Sequence, residues 1–265
     1  MSQLVSSRVS DANGTPFRNL LRFPDRWRYI AWTLLGRHGT LRCRLREGPT
    51  LSIRPKPSSD LETSYEIFRL RVYDTGLTPE GVRRIVDVGG NVGYSVLFWC
   101  SSYPYARVLT YEPHPVHCDL IRWHLQANDY SDRVTVLQAG ASVKNCTGTL
   151  VDDDIRSKIM KEGDSNPRNR PLLEVSAVDF FETVGIEPID ILKIDIEGGE
   201  YELLQDPRFD QVACRSRCIL MEWHKRAPHH LGGNWCQQRL INLGFAVRLP
   251  RPSSTKDIGI LVGTK

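Results

Sequence analysis

"IVDVGGNVGYSVLFWC", residues 85–100, is an apolar run ending beside an aspartate, then a glycine-rich turn, then a second apolar run at helical spacing. That order describes a strand, a tight loop and a helix N-terminus, the place where α/β proteins hold nucleotides. A dinucleotide fingerprint spaces its glycines as G-x-G-x-x-G so that backbone N–H groups can approach a pyrophosphate. Here Asn91 takes the second glycine position, and Asp87 stands two residues before Gly89. A carboxylate there disfavours phosphate, so a cationic ligand without phosphate fits the loop better.

The next strand, "RVLTYEP" (107–113), ends in Glu112, whose carboxylate is placed to accept bonds from both ribose hydroxyls of a nucleoside. An acid about 20 residues after the loop also serves NAD sites, so Glu112 alone does not discriminate. Asp87 with Asn91 does more, and they point to S-adenosylmethionine, which carries an ammonium and a sulfonium. From residue 85 onward strand-like and helix-like runs alternate, through "RVTVLQAG", "DILKIDI" and "RCILMEW". Such alternation predicts an α/β fold with a mostly parallel sheet and helices on both faces. The C-terminal "GFAVRLPRPSSTKDIGILVGTK" (244–265) reads instead as an antiparallel hairpin.

Residues 1–80 are expected to form an N-terminal cap of helix, β-hairpin and helix, packed on a main domain spanning 81–265. In "FPDRWRYIAWTLLGRHG" (23–39), Trp27, Ile30, Ala31, Leu34 and Leu35 recur at helical spacing before the stop signals Gly36 and Gly39. "TLRCRLREGPTLSIRP" (40–55) alternates Leu41, Cys43 and Leu45 with Arg42, Arg44 and Arg46, a hairpin with one wet, basic face. Trp27 and Trp32 are expected to pack on the main domain, a homodimer contact being the alternative.

The chain of 265 residues is long enough for one large core, and its net charge of +4 is modest. Nucleic acid is therefore not an expected partner. Seven cysteines, an odd number without a CxxC pair, argue for reduced thiols in a cytoplasmic setting. No basic start leads into a long apolar stretch, and no run approaches the ~18 apolar residues of a membrane span. An unexported, cytoplasmic chain without a membrane partner is the expectation. The biased segment "DDDIRSKIMKEGDSNPRNRP" (152–171) reads as a surface insertion that could act, with the basic hairpin, as lid and acceptor surface.

Two further stretches carry chemistry. In "DILKIDIEGGEYELL" (190–204), Ile191, Lys193 and Asp195 share one strand face, and charges there must be paired or sit at the strand's carboxyl edge. Asp195 lies at that edge, followed by Glu197 and Glu200 where helix N-termini also favour acids. "ILMEWHKRAPHH" (219–230) puts Glu222 and His224 on one face of the next strand. Neighbouring strands are about 4.8 Å apart, so Asp195, Glu222 and His224 can converge over one cleft. Glu222 then pairs with Lys193 or orients the imidazole. His224, His229 and His230 lack zinc-type spacing and no metal is expected, although Mg²⁺ can bind such acids through one or two carboxylates.

"VDVGGNVGYSVLFW", "YEPHPVHCDLIRWHLQAND", "LKIDIEGGEYELL" and "ILMEWH" together resemble the FkbM family of S-adenosylmethionine-dependent methyltransferases, over roughly residues 45–262. The "KIDIEG-x-E" element is the most specific. "IRPKPSSDLETSYEIFRLRVYD" (53–74) is similar to the family's entry segment and carries over Arg54, Ser59 and Asp60 as ligand-facing. The resemblance implies a Rossmann-like class I methyltransferase fold with a seven-stranded sheet. It implies a cofactor held by Asp87, Gly89, Gly90, Asn91, Gly93, Tyr94, Glu112, Pro113 and Asp195, with adenine near Ala139, Gly140, Ala141 and Ser142. Gly90 and Gly199 stand where the family more often has alanine, a difference of one methyl group that removes no polar contact.

The implied reaction is in-line methyl transfer that leaves S-adenosylhomocysteine. The expected acceptor is a small molecule, a hydroxyl of a sugar, glycolipid or natural product; the alternative is N-methylation of a peptide side chain or other amine. His224 and Asp195 are the candidate bases, His224 for its ordinary pKa near neutrality, with Glu197 and Glu222 beside them.

Overall fold

A computed structural model describes residues 17–151, 158–159, 171–225, 231–250 and 258–265. The chain divides into two compact units, Met1–Arg71 and Val72–Lys265.

In the first unit, helix α1 (Phe23–Leu34) begins with a proline in its first turn, where no N–H is needed, and the chain leaves it through Gly36 at φ +81°. Strands β1 (Leu41–Arg44) and β2 (Thr50–Ile53) form the antiparallel hairpin, with Leu41 opposite Ile53 and Cys43 opposite Leu51. Leu41, Cys43, Leu45, Leu51 and Ile53 are buried while Arg42, Arg44 and Arg46 are exposed, so the period-two pattern sorts the two faces as read. Helix α2 (Asp60–Phe68) completes the unit.

The second unit runs β3 (Arg84–Val88), α3 (Tyr94–Ser102), β4 (Arg107–Tyr111), α4 (Pro115–Ala127) and β5 (Val134–Leu137). It continues with β6 (Gly140–Ser142), β7 (Cys146–Val151), β8 (Lys158–Ile159), β9 (Leu172–Asp179) and α5 (Phe180–Thr183). After these come β10 (Ile189–Ile194), α6 (Glu200–Gln205), α7 (Arg208–Cys214), β11 (Ser216–His224), α8 (Gly233–Asn242), β12 (Ala246–Arg248) and β13 (Ile258–Thr264).

Seven strands form the main sheet in the order β12-β13-β11-β10-β3-β4-β5. The five from β11 to β5 are parallel, and β13 runs antiparallel between β11 and β12, as the terminal hairpin pattern predicts. Strand β10 is buried on both faces, which is why its run is nearly all apolar. On one side, Val86, Val88, Leu192, Ile194, Ile219 and Met221 pack with Leu203, Phe209, Val212 and Leu240 of α6, α7 and α8. Helix α3 has every residue from Tyr94 to Cys100 buried, consistent with a helix apolar all round. The strand order reverses between β3 and β10, and the crevice beyond the carboxyl ends at such a switch point is where open α/β sheets bind ligands.

A second sheet, β6-β9-β7-β8, was not anticipated from the sequence. Within it β9 alternates inward Val175, Ala177 and Asp179 with outward Glu174 and Ser176. Of the biased segment 152–171, Lys158–Ile159 pairs with Leu150–Val151 and Pro171 is also described; 152–157 and 160–170 lie outside the described residues.

Candidate active site

The loop after β3 is shaped by contacts that exclude side chains. Gly89 sits at φ +92°, and a Cβ there would fall 1.9 Å from the Asp195 carbonyl oxygen. The two strand ends are clamped at that point, with Asp195 N–H donating to Val88 O at 3.0 Å. Gly89 N–H and Gly90 N–H both donate to Tyr111 O, at 3.0 and 2.9 Å. Asn91 adopts φ +46°, a left-handed conformation that asparagine tolerates better than most residues, and this explains its place in a glycine position.

Gly90 is closely packed. A methyl at Gly90 would lie 2.4 Å from Thr110 Oγ1, so Thr110 occupies the space an alanine would use and packing is tight. At Gly199 the methyl would meet Ile196 Cδ1 at 2.9 Å, again a filled space.

Glu112 is buried at the end of β4. Its Oε2 accepts from Asn91 N–H at 2.8 Å and its Oε1 from His114 N–H at 2.9 Å, which leaves further lone pairs on both oxygens. Among the described residues Asn91 Oδ1 is buried without a hydrogen-bond partner, an acceptor in the loop whose N–H binds that carboxylate. No Lys or Arg occurs from Ile85 to Ala106 to receive a phosphate. A nucleoside bearing hydroxyls and a positive charge fits this set of acceptors. Tyr94 is buried beneath the loop against His124, ring centroids 5.5 Å apart. Pro113 is half-buried, as are Ala141 and Ser142, whereas Ala139 and Gly140 are buried.

Asp87 stands behind the loop with no exposed surface. The β3–β10 register sets Lys193 beside it, with Nζ 3.1 Å from Asp87 Oδ1, and Asp87 Oδ2 accepts from Trp99 Nε1 at 3.0 Å. Lys193 also donates to Gly89 O and lies 3.5 Å from Asp195 Oδ2. Burial pulls the Lys193 ammonium down, but Asp87 and Asp195 more than offset it, so its pKa lies above the ordinary value. Asp87 thus supports the loop through Lys193. Tyr73, which carried no sequence signal, closes this group: its hydroxyl donates to Asp195 Oδ2 at 3.4 Å, its ring stacks on Trp99 and Lys193 Nζ lies 5.7 Å from the ring centroid.

The imidazole of His224 sits among carboxylates. Its backbone N–H donates to Glu200 Oε1 at 2.8 Å, and Nδ1 lies 3.3 Å from the same oxygen. Nε2 faces Glu197 Oε2 at 3.6 Å and Glu222 Oε1 at 3.9 Å. Glu200 is fully buried, and its other oxygen accepts from Gly198 N–H at 2.8 Å. A residue equally readable as a helix-capping acid is therefore the principal partner of His224. Burial lowers the His224 pKa, but the Glu200 hydrogen bond and the charges of Asp195, Glu197 and Glu200 raise it to about 9. Burial and the Asp195 charge push Glu222 up to about 8, against the pull of His224 and Lys193. The acids around His224 therefore favour its imidazolium form.

Among the described residues no group of three or more His, Cys, Asp or Glu side chains is arranged to hold a metal ion, and His229 and His230 lie outside the described residues. In the first unit, Arg54 Nη2 and Nε donate to the two oxygens of buried Asp60 at 2.9 and 3.0 Å, and Arg54 N–H adds a third bond at 2.8 Å. Ser59 precedes α2, its Oγ 3.4 Å from Thr63 Oγ1.

Residues 87–241, more than half of the chain, match the family described as the methyltransferase FkbM domain. Methyltransferase sdnD of Sordaria araneosa is 31% identical over 171 residues, covering 53% of this chain and 66% of that protein. Methyltransferase 1 of Beauveria bassiana (strain ARSEF 2860) is 25% identical over 178 residues, 58% of this chain and 71% of that protein. The crystal structure of methyltransferase FkbM from Methylobacillus flagellatus KT superimposes with a TM-score of 0.51 at 13% identity, covering 75% of this chain and 47% of that one. The chain thus spans just under two thirds of the Sordaria protein and about half of the Methylobacillus chain. Its sheet order, glycine loop and family match agree, and the chain belongs to the FkbM methyltransferase domain family.

Proposed function

We propose that the chain is an S-adenosylmethionine-dependent methyltransferase that methylates a hydroxyl of a sugar, glycolipid or natural-product metabolite. The observation that carries this reading is a glycine loop offering acceptors, Asn91 Oδ1 and the Glu112 carboxylate, beside an acid–imidazole cluster at adjacent strand edges. When bound, S-adenosylmethionine supplies an electrophilic methyl group on a positively charged sulfur.

The chain's own residues divide the remaining work. Glu112 and Asn91 accept from ribose hydroxyls, the turn from Gly89 to Gly93 gives close backbone approach, and Ala139 to Ser142 flank the base. Asp195, held by Tyr73 and Lys193, would receive the ammonium group of the bound cofactor. The acceptor oxygen loses its proton to Glu222 once that carboxylate is ionised, while the His224 imidazolium fixes Glu197 and Glu222 in place. A positioned base contributes typically about 10²- to 10⁴-fold, and alignment of the reacting atoms supplies much of the remainder. Four carboxylates around His224 also suit an amine acceptor, and this favours N-methylation as the second reading.

Incubation of the purified chain with methyl-labelled S-adenosylmethionine and a panel of hydroxylated and amino acceptors tests this. Label on oxygen is expected; label confined to nitrogen supports the second reading, and no transfer to any acceptor counts against both.

A further inference from the structure

Helix α1 has one face turned into its own unit and an apolar face turned away from it. Trp32 is buried, with Nε1 donating to Gly39 O at 2.9 Å and its ring 6.2 Å from that of Tyr29, which in turn meets Phe17 at 5.5 Å. On the other side Phe23 is 70% exposed, Trp27 62% and Leu34 81%, and Leu35, directly after the helix, is 73% exposed. With Ala31, also exposed, these residues fall within a single helical stripe about 120° wide. Arg26 and Arg28 lie on opposite flanks of that stripe.

The same unit is strongly basic. Residues 1–71 hold thirteen Lys and Arg against six Asp and Glu, a net +7, while the whole chain is +4 and the remainder therefore −3. Arg22, Arg28, Arg42, Arg44 and Arg46 are exposed. Among the described residues, Asp60 is engaged inside the unit with Arg54, Glu62 with Lys56, and Asp25 with Arg28 and the Arg44 N–H.

We propose that this face of α1 lies on an anionic lipid surface. Phe23, Trp27, Leu34 and Leu35 enter the boundary between headgroups and acyl chains, while Arg26 and Arg28 on the flanks of the stripe and the net positive charge of the unit attract the negative headgroups. An apolar helical stripe rimmed by Arg is the arrangement of a helix lying in the membrane interface. A nucleic acid would satisfy the arginines but leave the apolar stripe in water. A second copy of the chain would cover the stripe but set two units of +7 against each other. Among the described residues no helix is long and apolar enough to cross a membrane, and a helix lying on the surface needs no such length. This inference stands on the first unit alone and is independent of the proposed chemistry.

The test is co-sedimentation of the full chain with vesicles of phosphatidylcholine alone and of phosphatidylcholine mixed with phosphatidylserine, at low and high salt. Binding to the mixed vesicles is expected, weakened by salt, and reduced about tenfold or more in a Trp27→Glu, Leu34→Glu variant whose thermal melt is unchanged. Arg42→Glu with Arg44→Glu reads the charge contribution separately and is expected to weaken binding without abolishing it. The proposal is overturned if neither vesicle binds, if the apolar variant binds as well as the parent, or if light scattering shows a dimer that this variant dissociates. Retention on RNA that the apolar variant leaves unchanged, without vesicle binding, overturns it equally.

Discussion

One oxygen of Glu200 holds both the main chain and the ring of His224, accepting from the backbone N–H at 2.8 Å and lying 3.3 Å from Nδ1. The strand end and the imidazole are therefore oriented by a single buried carboxylate from the start of α6. Removing its charge should release both. We expect Glu200→Gln to lower the His224 pKa from about 9 towards its ordinary value and to reduce methyl transfer by about tenfold or more. An NMR titration of the imidazole in parent and variant checks the first effect, and one unchanged pKa would contradict it.

The raised pKa values of His224 and Glu222 also act on stability, both with the same sign. His224 contributes stability that is fully present below 6.5 and is lost as pH rises through about 9. The protonated form of Glu222 is favoured on folding, so its contribution is fully present below 4.5 and is lost as pH rises through about 8. Unfolding in denaturant should show Glu222→Gln gaining on the parent as pH increases from 4.5 to 8, by about 1–3 kcal/mol over that window. A constant difference would refute the burial of an ionisable Glu222.

Activity should run the other way with pH. If Glu222 takes the acceptor's proton, transfer to a hydroxyl rises as pH increases through about 8 and flattens above it. The Glu222→Gln variant should be slow and nearly pH-independent across the same range. A parent profile already flat from pH 6 upward would assign the base elsewhere.

Tyr73 separates positioning from packing. Tyr73→Phe removes the hydroxyl from Asp195 but keeps the ring on Trp99 and Lys193, so kcat or cofactor affinity should fall a few-fold, about 1 kcal/mol, with little change in Tm. Tyr73→Ala should cost about 3–5 kcal/mol of stability, because a large buried ring is lost. Equal losses of stability in the two variants would mean that the hydroxyl serves folding.

Gly90 offers a packing test. Gly90→Ala should destabilise by about 1–3 kcal/mol through contact with Thr110 Oγ1, and Thr110→Ala should restore part of that loss in the double variant. Additive effects of the two substitutions would show that the contact is relieved some other way.

Much of this molecule was legible along the chain because its signals are local. The hairpin at β1 and β2, the alternation that builds the main sheet, and the glycine loop each declare themselves within about ten residues through period, turn chemistry or both. That Glu222 and His224 come together followed from strand alternation. What escaped depends on contacts between distant residues. The commitment of Asp87 to Lys193 needs the β3–β10 register, and the hydroxyl of Tyr73 meets Asp195 across 122 residues. The raised pKa of His224 depends on Glu200, Asp195 and Glu197 closing around it, which no spacing of residues displays. The second sheet was hidden because β6 has three residues and β7 and β9 flank a polar, charge-rich segment.

The loop from Gly89 to Gly93 is the centre of the functional reading, and calorimetric titration of S-adenosylmethionine and, separately, NAD into the purified chain and a Glu112→Ala variant tests it most directly. Micromolar binding of S-adenosylmethionine that weakens about tenfold or more in the variant, with no heat from NAD, is the expected result. Binding of NAD in place of S-adenosylmethionine would contradict it, and the acceptors at Asn91 and Glu112 would then belong to a different ligand.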